Sequence, residues 1–232
     1  MSEGSVVIVG GTGGLGREVA RHYQERGHEV VITGRDPDKA AQLASEIGNG
    51  VSGIGFDLAQ PASISDALAG VGGVSRLVLS AIDRDHNPLD EYSIERAIAL
   101  TTMKLVGYTE TIRTLHSRMS DDSSVVLFGG RAKDRPYPGS TTVTTVNGGV
   151  ASLINTLVVQ LKPIRFNAIH PGIVGDSPFW EDKQDALDAV VERTPTGRLV
   201  MMAEVVNATV FLLENRAVNG INLYVDGGWM LM

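Results

Sequence analysis

The feature that most constrains the fold is a glycine-rich turn that directly follows a short apolar run. The run SVVIVG at 5–10 has the composition of a buried parallel strand, and LGREVARHYQERG at 15–27 has a helical pattern. GxxxGxG spacing between them suits a backbone that approaches a pyrophosphate at a helix N-terminus. An ordinary glycine-rich turn is the alternative. We predict a dinucleotide phosphate loop formed by Gly10, Thr12, Gly13, Gly14, Leu15 and Gly16.

Strand-like and helical patterns alternate along the whole chain. Such alternation predicts an α/β fold with a doubly wound parallel sheet of about seven strands and helices on both faces. We interpret 1–232 as a single domain with a helical lid at about 174–200. The predicted strands are 5–10, 29–34, 53–58, 75–81, 123–129, 164–172 and 221–228, and the predicted helices are 15–27, 36–48, 61–69, 88–118, 139–161, 178–193 and 201–214.

Composition restricts the possible partners and chemistry. A net charge of −7 argues against nucleic acid or an anionic membrane as the main partner. The absence of cysteine excludes disulfides, a thiolate nucleophile and a cysteine-ligated metal, and we expect no metal site. No apolar run reaches the ~18 residues of a membrane helix, and the amino terminus lacks the basic region of a signal peptide. We expect a cytoplasmic protein that acts on a small molecule.

The end of the second predicted strand bears on the choice of cofactor. Sites for NAD usually place an acid there to hold the ribose hydroxyls, whereas this chain has Gly34 and Arg35. A guanidinium can bind a 2′-phosphate and stack on adenine, so we predict NADP(H) in preference to NAD(H). Arg35 as a plain surface arginine is the alternative. Asp57 and Leu58, after the third strand, are predicted to border the adenine, although Asp57 also suits a simple turn.

These motifs resemble the short-chain dehydrogenase/reductase family over nearly the whole chain. The resemblance rests on GGTGGLG, FDL, RPYPGS, IRFNAIHPGIV, TPTGRLVMMAEVVNATVFLL and INLYVDGGW. It implies a Rossmann-type fold, NAD(P) binding, and a homotetramer or homodimer formed through the long helices near 90–118 and 139–161. It also implies cofactor contacts from Ser80, Ala81, Asn147, Pro171, Gly172 and Val174.

The active-site motifs depart from the family pattern. The positions of the catalytic tyrosine and lysine are occupied by Val143 and Asn147, and the position of the serine by Gly130. The supporting asparagine is also absent from AIALTTMKLVG. Valine donates no proton, and Asn147 carries no charge that would lower the pKa of a neighbour, so ketone reduction by the usual route is not available. Asn147 can still hydrogen-bond the ribose hydroxyls.

Other side chains after the fourth and fifth strands are candidates for a substitute proton donor. Ligands bind beyond the carboxyl ends of parallel strands, which is where these loops lie. His86 has a suitable ordinary pKa but also suits an exposed loop. Lys133 and Tyr137 are candidates on the substrate side, although their charged neighbours suit a salt-linked loop.

Three functions are compatible with the sequence. The first is an NADP(H)-dependent oxidoreductase with a non-standard proton donor or a pre-activated acceptor, such as an imine, an iminium ion or a conjugated carbonyl. The second is a catalytically inactive NADP(H)-binding sensor or partner subunit. The third, a lyase or isomerase on the same fold, has no specific support. The long lid favours the first, because ordering such a segment without a ligand to cover is unfavourable.

Overall fold

A computed structural model describes residues 4–181 and 184–232. Its seven strands form one sheet in the order β3-β2-β1-β4-β5-β6-β7, and every neighbouring pair is parallel. The predicted doubly wound sheet is therefore confirmed. Strands β2 and β3 lie on one side of β1 and strands β4 to β7 on the other, so the strand order reverses between β1 and β4. The strands are β1 Ser5–Val9, β2 Val30–Gly34, β3 Val51–Gly55, β4 Val74–Leu79, β5 Met119–Phe128, β6 Arg165–Pro171 and β7 Asn222–Val225.

Helices cover both faces of the sheet, and each face has its own apolar core. One core joins α3, α5 and α6 to the sheet, and the other joins α1, α2 and α8 to it. The strands between them are buried on both sides, which explains their continuous apolar runs. The helices are α1 Gly14–Gln24, α2 Pro37–Ile47, α3 Ile64–Ala67, α4 Ile94–Thr101, α5 Tyr108–Leu115, α6 Thr141–Gln160, α7 Gln184–Val191 and α8 Met202–Glu214.

Local sequence accounts for where the element after β2 begins. The Asp36 carboxylate accepts hydrogen bonds from the amides of Asp38 and Lys39, and Pro37 occupies the first helical position. This is the N-cap that the sequence predicts. The strand predicted over 53–58 begins two residues earlier and ends three residues earlier, as β3 Val51–Gly55. It ends before Asp57 because the Asp57 carboxylate accepts a hydrogen bond from the amide of Ala59 at 2.9 Å, which forms a turn.

The long helix predicted over 88–118 is divided. A π-helical segment, Thr102–Gly107, separates α4 from α5. A Cβ added to Gly107 would lie 2.4 Å from the carbonyl oxygen of Leu58, so this segment passes close to the backbone after β3. Segments of this kind occur frequently at functional sites, and nothing in the local sequence pattern predicts the change of helical pitch.

The segment predicted as a lid begins and ends at one point beside the sheet. Val174 and Val200 form an isolated parallel bridge, and the amide of Gly175 donates to the carbonyl of Val200 at 2.8 Å. The 3₁₀ turn Pro178–Trp180 and α7 lie between them. Part of the lid helix predicted over 178–193 falls on residues 182–183, which lie outside the described residues.

Helix α6 has the length and composition of a membrane span, with a mean hydropathy of 1.3 over its most apolar window. Its side chains Val150, Ile154 and Leu157 belong to the core on one face of the sheet. Packing against that sheet accounts for the apolar residues on this face of the helix.

Candidate active site

A cavity of about 670 Å³ opens at the carboxyl ends of the strands, where the sheet order reverses between β1 and β4. Crevices at such switch points are where open parallel sheets bind ligands. All of the predicted cofactor residues except Asn147 line this cavity. They are Gly10, Thr12, Gly13, Gly14, Leu15, Gly16, Gly34, Arg35, Asp57, Leu58, Ser80, Ala81, Pro171, Gly172 and Val174.

The glycine loop has the shape that a pyrophosphate requires. Gly10 has a φ of +87°, and a Cβ added there would lie 2.6 Å from the amide nitrogen of Ala81. A Cβ on Gly16 would lie 2.4 Å from the carbonyl oxygen of Gly10. Gly13 and Gly14, by contrast, meet nothing within 4 Å, and the first turn of α1 contains no acidic residue. The loop is therefore closely packed underneath and open above, beside a helix N-terminus that favours anions.

The adenosine end of the cavity contains no acidic side chain at the tip of β2. Gly34 packs against Thr12, because a Cβ on Gly34 would lie 2.7 Å from the Thr12 methyl group. Arg35 follows, is exposed and lines the cavity. Asp57 also lines the cavity while one of its oxygens caps the turn at Ala59. Both interpretations of Asp57 from the sequence therefore agree with its position.

Gly130 and Asn147 are in contact. Gly130 lines the cavity, and a Cβ added to it would lie 2.7 Å from the amide nitrogen of Asn147. Asn147 is buried, and its side chain occupies the space beside Gly130. Val143, one turn earlier on α6, is half-buried and is not among the described residues that line the cavity.

The three candidate donors from the sequence also lie outside the cavity wall, as far as the described residues define it. The His86 ring is exposed and packs on Gly139. The Lys133 ammonium donates to both Asp134 oxygens, at 2.8 and 2.9 Å, and to the Tyr224 hydroxyl. Tyr137 is half exposed. Lys133 thus belongs to the salt-linked loop that the sequence offered as its alternative.

A buried lysine that sequence reasoning missed does reach the cavity. Lys104, in the π-helical segment, is 4% exposed, and its ammonium donates to the carbonyl of Phe128 at 2.9 Å. It also donates to the Tyr108 hydroxyl at 3.0 Å, and that hydroxyl donates to the carbonyl of Ala81 at 2.7 Å. The available signal was one lysine within the otherwise uncharged stretch 97–109.

Burial determines the protonation behaviour of this pair. Desolvation lowers the pKa of Lys104 to about 7, because no carboxylate among the described residues forms an ion pair with its ammonium. Burial raises the pKa of Tyr108, which therefore remains a neutral phenol. A lysine that titrates near neutrality at a cavity wall can both hold and release a proton.

The outer end of the cavity is lined by aromatic and charged side chains. Phe179 and Trp180 of the lid contact each other edge to face, with ring centroids 4.8 Å apart. The guanidinium of Arg84, from the loop after β4, lies over the Phe179 ring at 3.4 Å. All three line the cavity, so lid and loop meet above it. Among the described residues, no group of three His, Asp or Glu side chains is placed to hold a metal.

Comparison with known proteins gives the family. A family model described as enoyl-(acyl carrier protein) reductase matches residues 10–230. The chain belongs to the short-chain dehydrogenase/reductase family. This membership supports an oxidoreductase role and the use of a nicotinamide cofactor.

Relatives within the family match over almost their full length. The short-chain dehydrogenase/reductase MalC of Malbranchea aurantiaca is 26% identical over 98% of this chain and 94% of its own. Its structure, described as a reductase/Diels-Alderase, has a TM-score of 0.90 and covers 99% and 97% of the two chains. The 3-oxoacyl-(acyl-carrier-protein) reductase of Bos taurus is 28% identical over 97% of both. The structure of a gluconate 5-dehydrogenase from Burkholderia cenocepacia J2315, solved with NADP and tartrate, has a TM-score of 0.90 and 25% sequence identity. The match covers 100% of this chain and 97% of the other.

The open side of the glycine loop gives a first prediction. Gly13 has an extended φ of −172°, so Gly13→Ala should change the free energy of unfolding by less than about 0.5 kcal/mol. Its methyl group would stand where a pyrophosphate approaches the backbone, so we expect dinucleotide affinity to fall about tenfold. Urea unfolding and fluorescence titration measure the two effects. Gly72→Ala, which also meets nothing within 4 Å, is the control; unchanged affinity in Gly13→Ala would contradict the assignment.

The buried Lys104 predicts how stability depends on pH. An unfolded lysine binds its proton up to about pH 10.4, whereas the folded Lys104 releases it near 7. Between these values the unfolded state binds more protons, so the stability conferred by neutral Lys104 increases with pH. Lys104→Met lacks this dependence. We expect wild type to gain up to about 3 kcal/mol relative to Lys104→Met between pH 7 and 9.5. The free energy of unfolding is measured in urea at each pH. The same pH dependence in wild type and Lys104→Met would contradict this prediction.

Proposed function

We propose that this chain is an NADP(H)-dependent oxidoreductase that reduces an electrophilic acceptor without the serine, tyrosine and lysine typical of its family. The observation that carries the proposal is one continuous cavity. It runs from the glycine loop and Arg35, past Gly130 and Lys104, to Phe179 and Trp180. The residues predicted to bind the cofactor therefore border the same cavity as Lys104 and the lid.

The preference for NADP(H) rests on the tip of β2. Gly34 offers no carboxylate to bind ribose hydroxyls, and Arg35 lines the cavity at the adjacent position. Asp36 is committed to the N-cap of α2 through two backbone hydrogen bonds, so it is not aimed at a ribose. The Arg35 guanidinium remains as a positively charged group at this end, and it can bind a 2′-phosphate.

The proposal that the family's catalytic residues are absent rests on three positions. Gly130 has no hydroxyl to polarise an acceptor, Val143 has no acidic proton, and Asn147 packs its side chain against Gly130. When bound, the nicotinamide supplies the hydride. The chain must then bind an acceptor, exclude water and provide a proton from another group. Imines, iminium ions and conjugated carbonyls are the acceptors that need the least polarisation.

The space beyond the glycine loop favours an enzyme over an inactive binding protein. A sensor would be expected to fill the nicotinamide end with side chains. Here Ile82, Arg84 and Trp180 border open space instead, and the lid encloses it. The inactive NADP(H)-binding subunit stays as the alternative, and the absence of turnover in a chain that binds NADPH tightly would support it.

The described activities of relatives suggest the acceptors to test first. MalC is described as a reductase and Diels-Alderase, and the bovine relative as a reductase of 3-oxoacyl groups. We propose a screen of cyclic imines, conjugated carbonyls and 3-oxoacyl thioesters with NADPH. The decrease in the absorbance of the reduced nicotinamide measures the reaction. Reduction of none of them by a chain that binds NADPH would overturn the proposed function.

Arg35 should determine cofactor preference. Arg35→Ala removes charge-assisted hydrogen bonds to the 2′-phosphate, worth roughly 1.5–3 kcal/mol. We expect NADPH affinity to fall about 10- to 150-fold, with NADH affinity nearly unchanged, because NADH lacks that phosphate. Fluorescence titration with both dinucleotides measures the difference.

The control for this change is another exposed arginine. Arg26 lies at the far end of α1 and donates to the carbonyl of His22, so Arg26→Ala changes net charge equally without touching the cavity. Equal losses of NADPH affinity in the two variants would indicate a general charge effect. Equal losses of NADPH and NADH affinity in Arg35→Ala would indicate contact with the adenosine alone.

We also propose that the chain forms a homodimer or homotetramer through the region of α4, α5 and α6. Ile94 and Ile98 lie one turn apart on α4 and are 68% and 61% exposed, and Val106 and Val159 are also exposed. Such a patch is typical of an interaction surface. Light scattering should give a multiple of 24.7 kDa, and Ile98→Asp should shift the mass towards that of a monomer. A monomeric wild type would refute the assembly.

A further inference from the structure

The helix next to α6 carries a phenol and an ammonium at a spacing of four residues. Lys104 and Tyr108 lie one turn apart, and their polar atoms are 3.0 Å from each other. Sequence comparison directs attention to Val143 and Asn147 on α6, where the pair is missing. A lysine–tyrosine pair is nevertheless present at the same end of the sheet, in the opposite chain order and on a different helix.

Two hydrogen bonds position the Lys104 ammonium and leave one N–H donor for the cavity. One N–H donates to the carbonyl of Phe128, immediately before Gly129 and Gly130, and a second donates to the Tyr108 hydroxyl. An ammonium has three N–H donors, so one is not accounted for by these two acceptors. Lys104 lines the cavity together with Ala81 and Gly130, at the end remote from Arg35.

We propose that Lys104 is the proton donor of the reduction. This inference rests on the proposed function. The acceptor is a neutral C=O or C=N compound, which includes conjugated carbonyls. As hydride adds to the acceptor carbon, the π bond breaks and its electron pair takes a proton from the Lys104 ammonium. A C–H and an O–H or N–H bond form, the amine is left neutral, and solvent restores its proton before the next turnover.

Tyr108 is the positioning residue for this step. Its hydroxyl accepts from Lys104 and donates to the carbonyl of Ala81, so it connects the amine to the end of β4. Tyr108 is fully buried and is not among the described residues that line the cavity, so it acts through Lys104. The Lys104 ammonium lies 4.9 Å from the centre of the Tyr108 ring, and the resulting cation–π attraction favours the charged form of the lysine.

The electrostatic surroundings of Lys104 are simple. Its own helix supplies the Tyr108 phenol, and β5 supplies an uncharged carbonyl. Helix α6 packs on the same segment through Gly149 and Leu105, which carry no charge. Desolvation is the only cause that lowers the pKa of Lys104, to about 7. The ammonium is the donor, so the proton-dependent rate should fall as pH rises through about 7.

The first test needs no substrate. The chain has five lysines, so ¹³Cε-lysine labelling gives few signals in a pH titration by NMR. We expect one signal to titrate near pH 7 and to disappear in Lys104→Met. Its pKa should be lower with NADP⁺ bound than with NADPH, because only the oxidised ring carries a positive charge. An ordinary pKa near 10.4, or equal values in the two complexes, would overturn the proposal.

The NMR titration does not require that Lys104→Met folds. If Lys104→Met is unfolded, the signal of Lys104 can be isolated in the wild-type environment instead. Replacing every other lysine by arginine leaves a single labelled side chain, and these positions are Lys39, Lys133, Lys162 and Lys183.

The second test separates proton donation from charge alone. With an acceptor from the screen, Lys104→Met and Lys104→Arg should both lose at least 100-fold in kcat while retaining NADPH affinity. Arginine keeps the charge but does not release a proton near neutrality. Methylamine should restore part of the activity of Lys104→Ala, with a pH profile that follows the added amine. Lys162→Met, a substitution outside the cavity, should match wild type.

The two proposals fail in different ways. A chain that binds NADPH but reduces no acceptor refutes the oxidoreductase, while the NMR titration still decides whether Lys104 faces the nicotinamide. A chain that reduces an acceptor with full activity in Lys104→Arg keeps the proposed function and refutes Lys104 as donor. Unchanged kcat in Tyr108→Phe would refute only the positioning role of Tyr108.

Discussion

The close approach of the glycine loop to the end of β4 is the constraint on which the site depends. Gly10 lies against the backbone of Ala81, and Gly16 lies against the carbonyl of Gly10 and the hydroxyl of Ser80. A side chain at either glycine would push α1 away from the sheet. These contacts leave the crevice between β1 and β4 open above a helix N-terminus, and the remaining parts of the site are arranged along that crevice.

The buried Lys104 works against the stability that the two cores provide. Taking an ammonium out of water without a carboxylate partner is unfavourable, and the structure compensates only with a carbonyl and a phenol. An apolar residue of similar volume would avoid this penalty altogether. Side chains that break a local rule of this kind without an evident structural gain are most often found at functional sites. The burial of Lys104 without a carboxylate partner thus favours a chemical role whether or not the chain resembles the family elsewhere.

Patterns in the sequence were sufficient to predict the sheet and the glycine-rich turn between β1 and α1, and most of the residues that they single out line the cavity. Strand composition, the Asp36 cap and glycine spacing are local signals, and they act locally in the structure. The pitch of the chain over Thr102–Gly107 is not local, because it depends on the approach of Gly107 to the backbone of Leu58. Lys104 lies in this π-helical segment and is buried there. A search of the sequence at the family's positions on α6 therefore could not find Lys104. His86, Lys133 and Tyr137 are predicted from side-chain type and loop position, and neither of these fixes the direction of a side chain.

Gly130 and Asn147 pack against each other as one unit. A Cβ at position 130 would lie 2.7 Å from the Asn147 amide nitrogen, so a serine there would displace Asn147. A serine at position 130 is therefore incompatible with the present position of the Asn147 side chain. In contrast, the route from the cavity through Lys104 and Tyr108 to Ala81 is complete and hydrogen-bonded at each step. The reductase that we propose would therefore take its proton from the helix next to α6, whereas the family resemblance points to α6 itself.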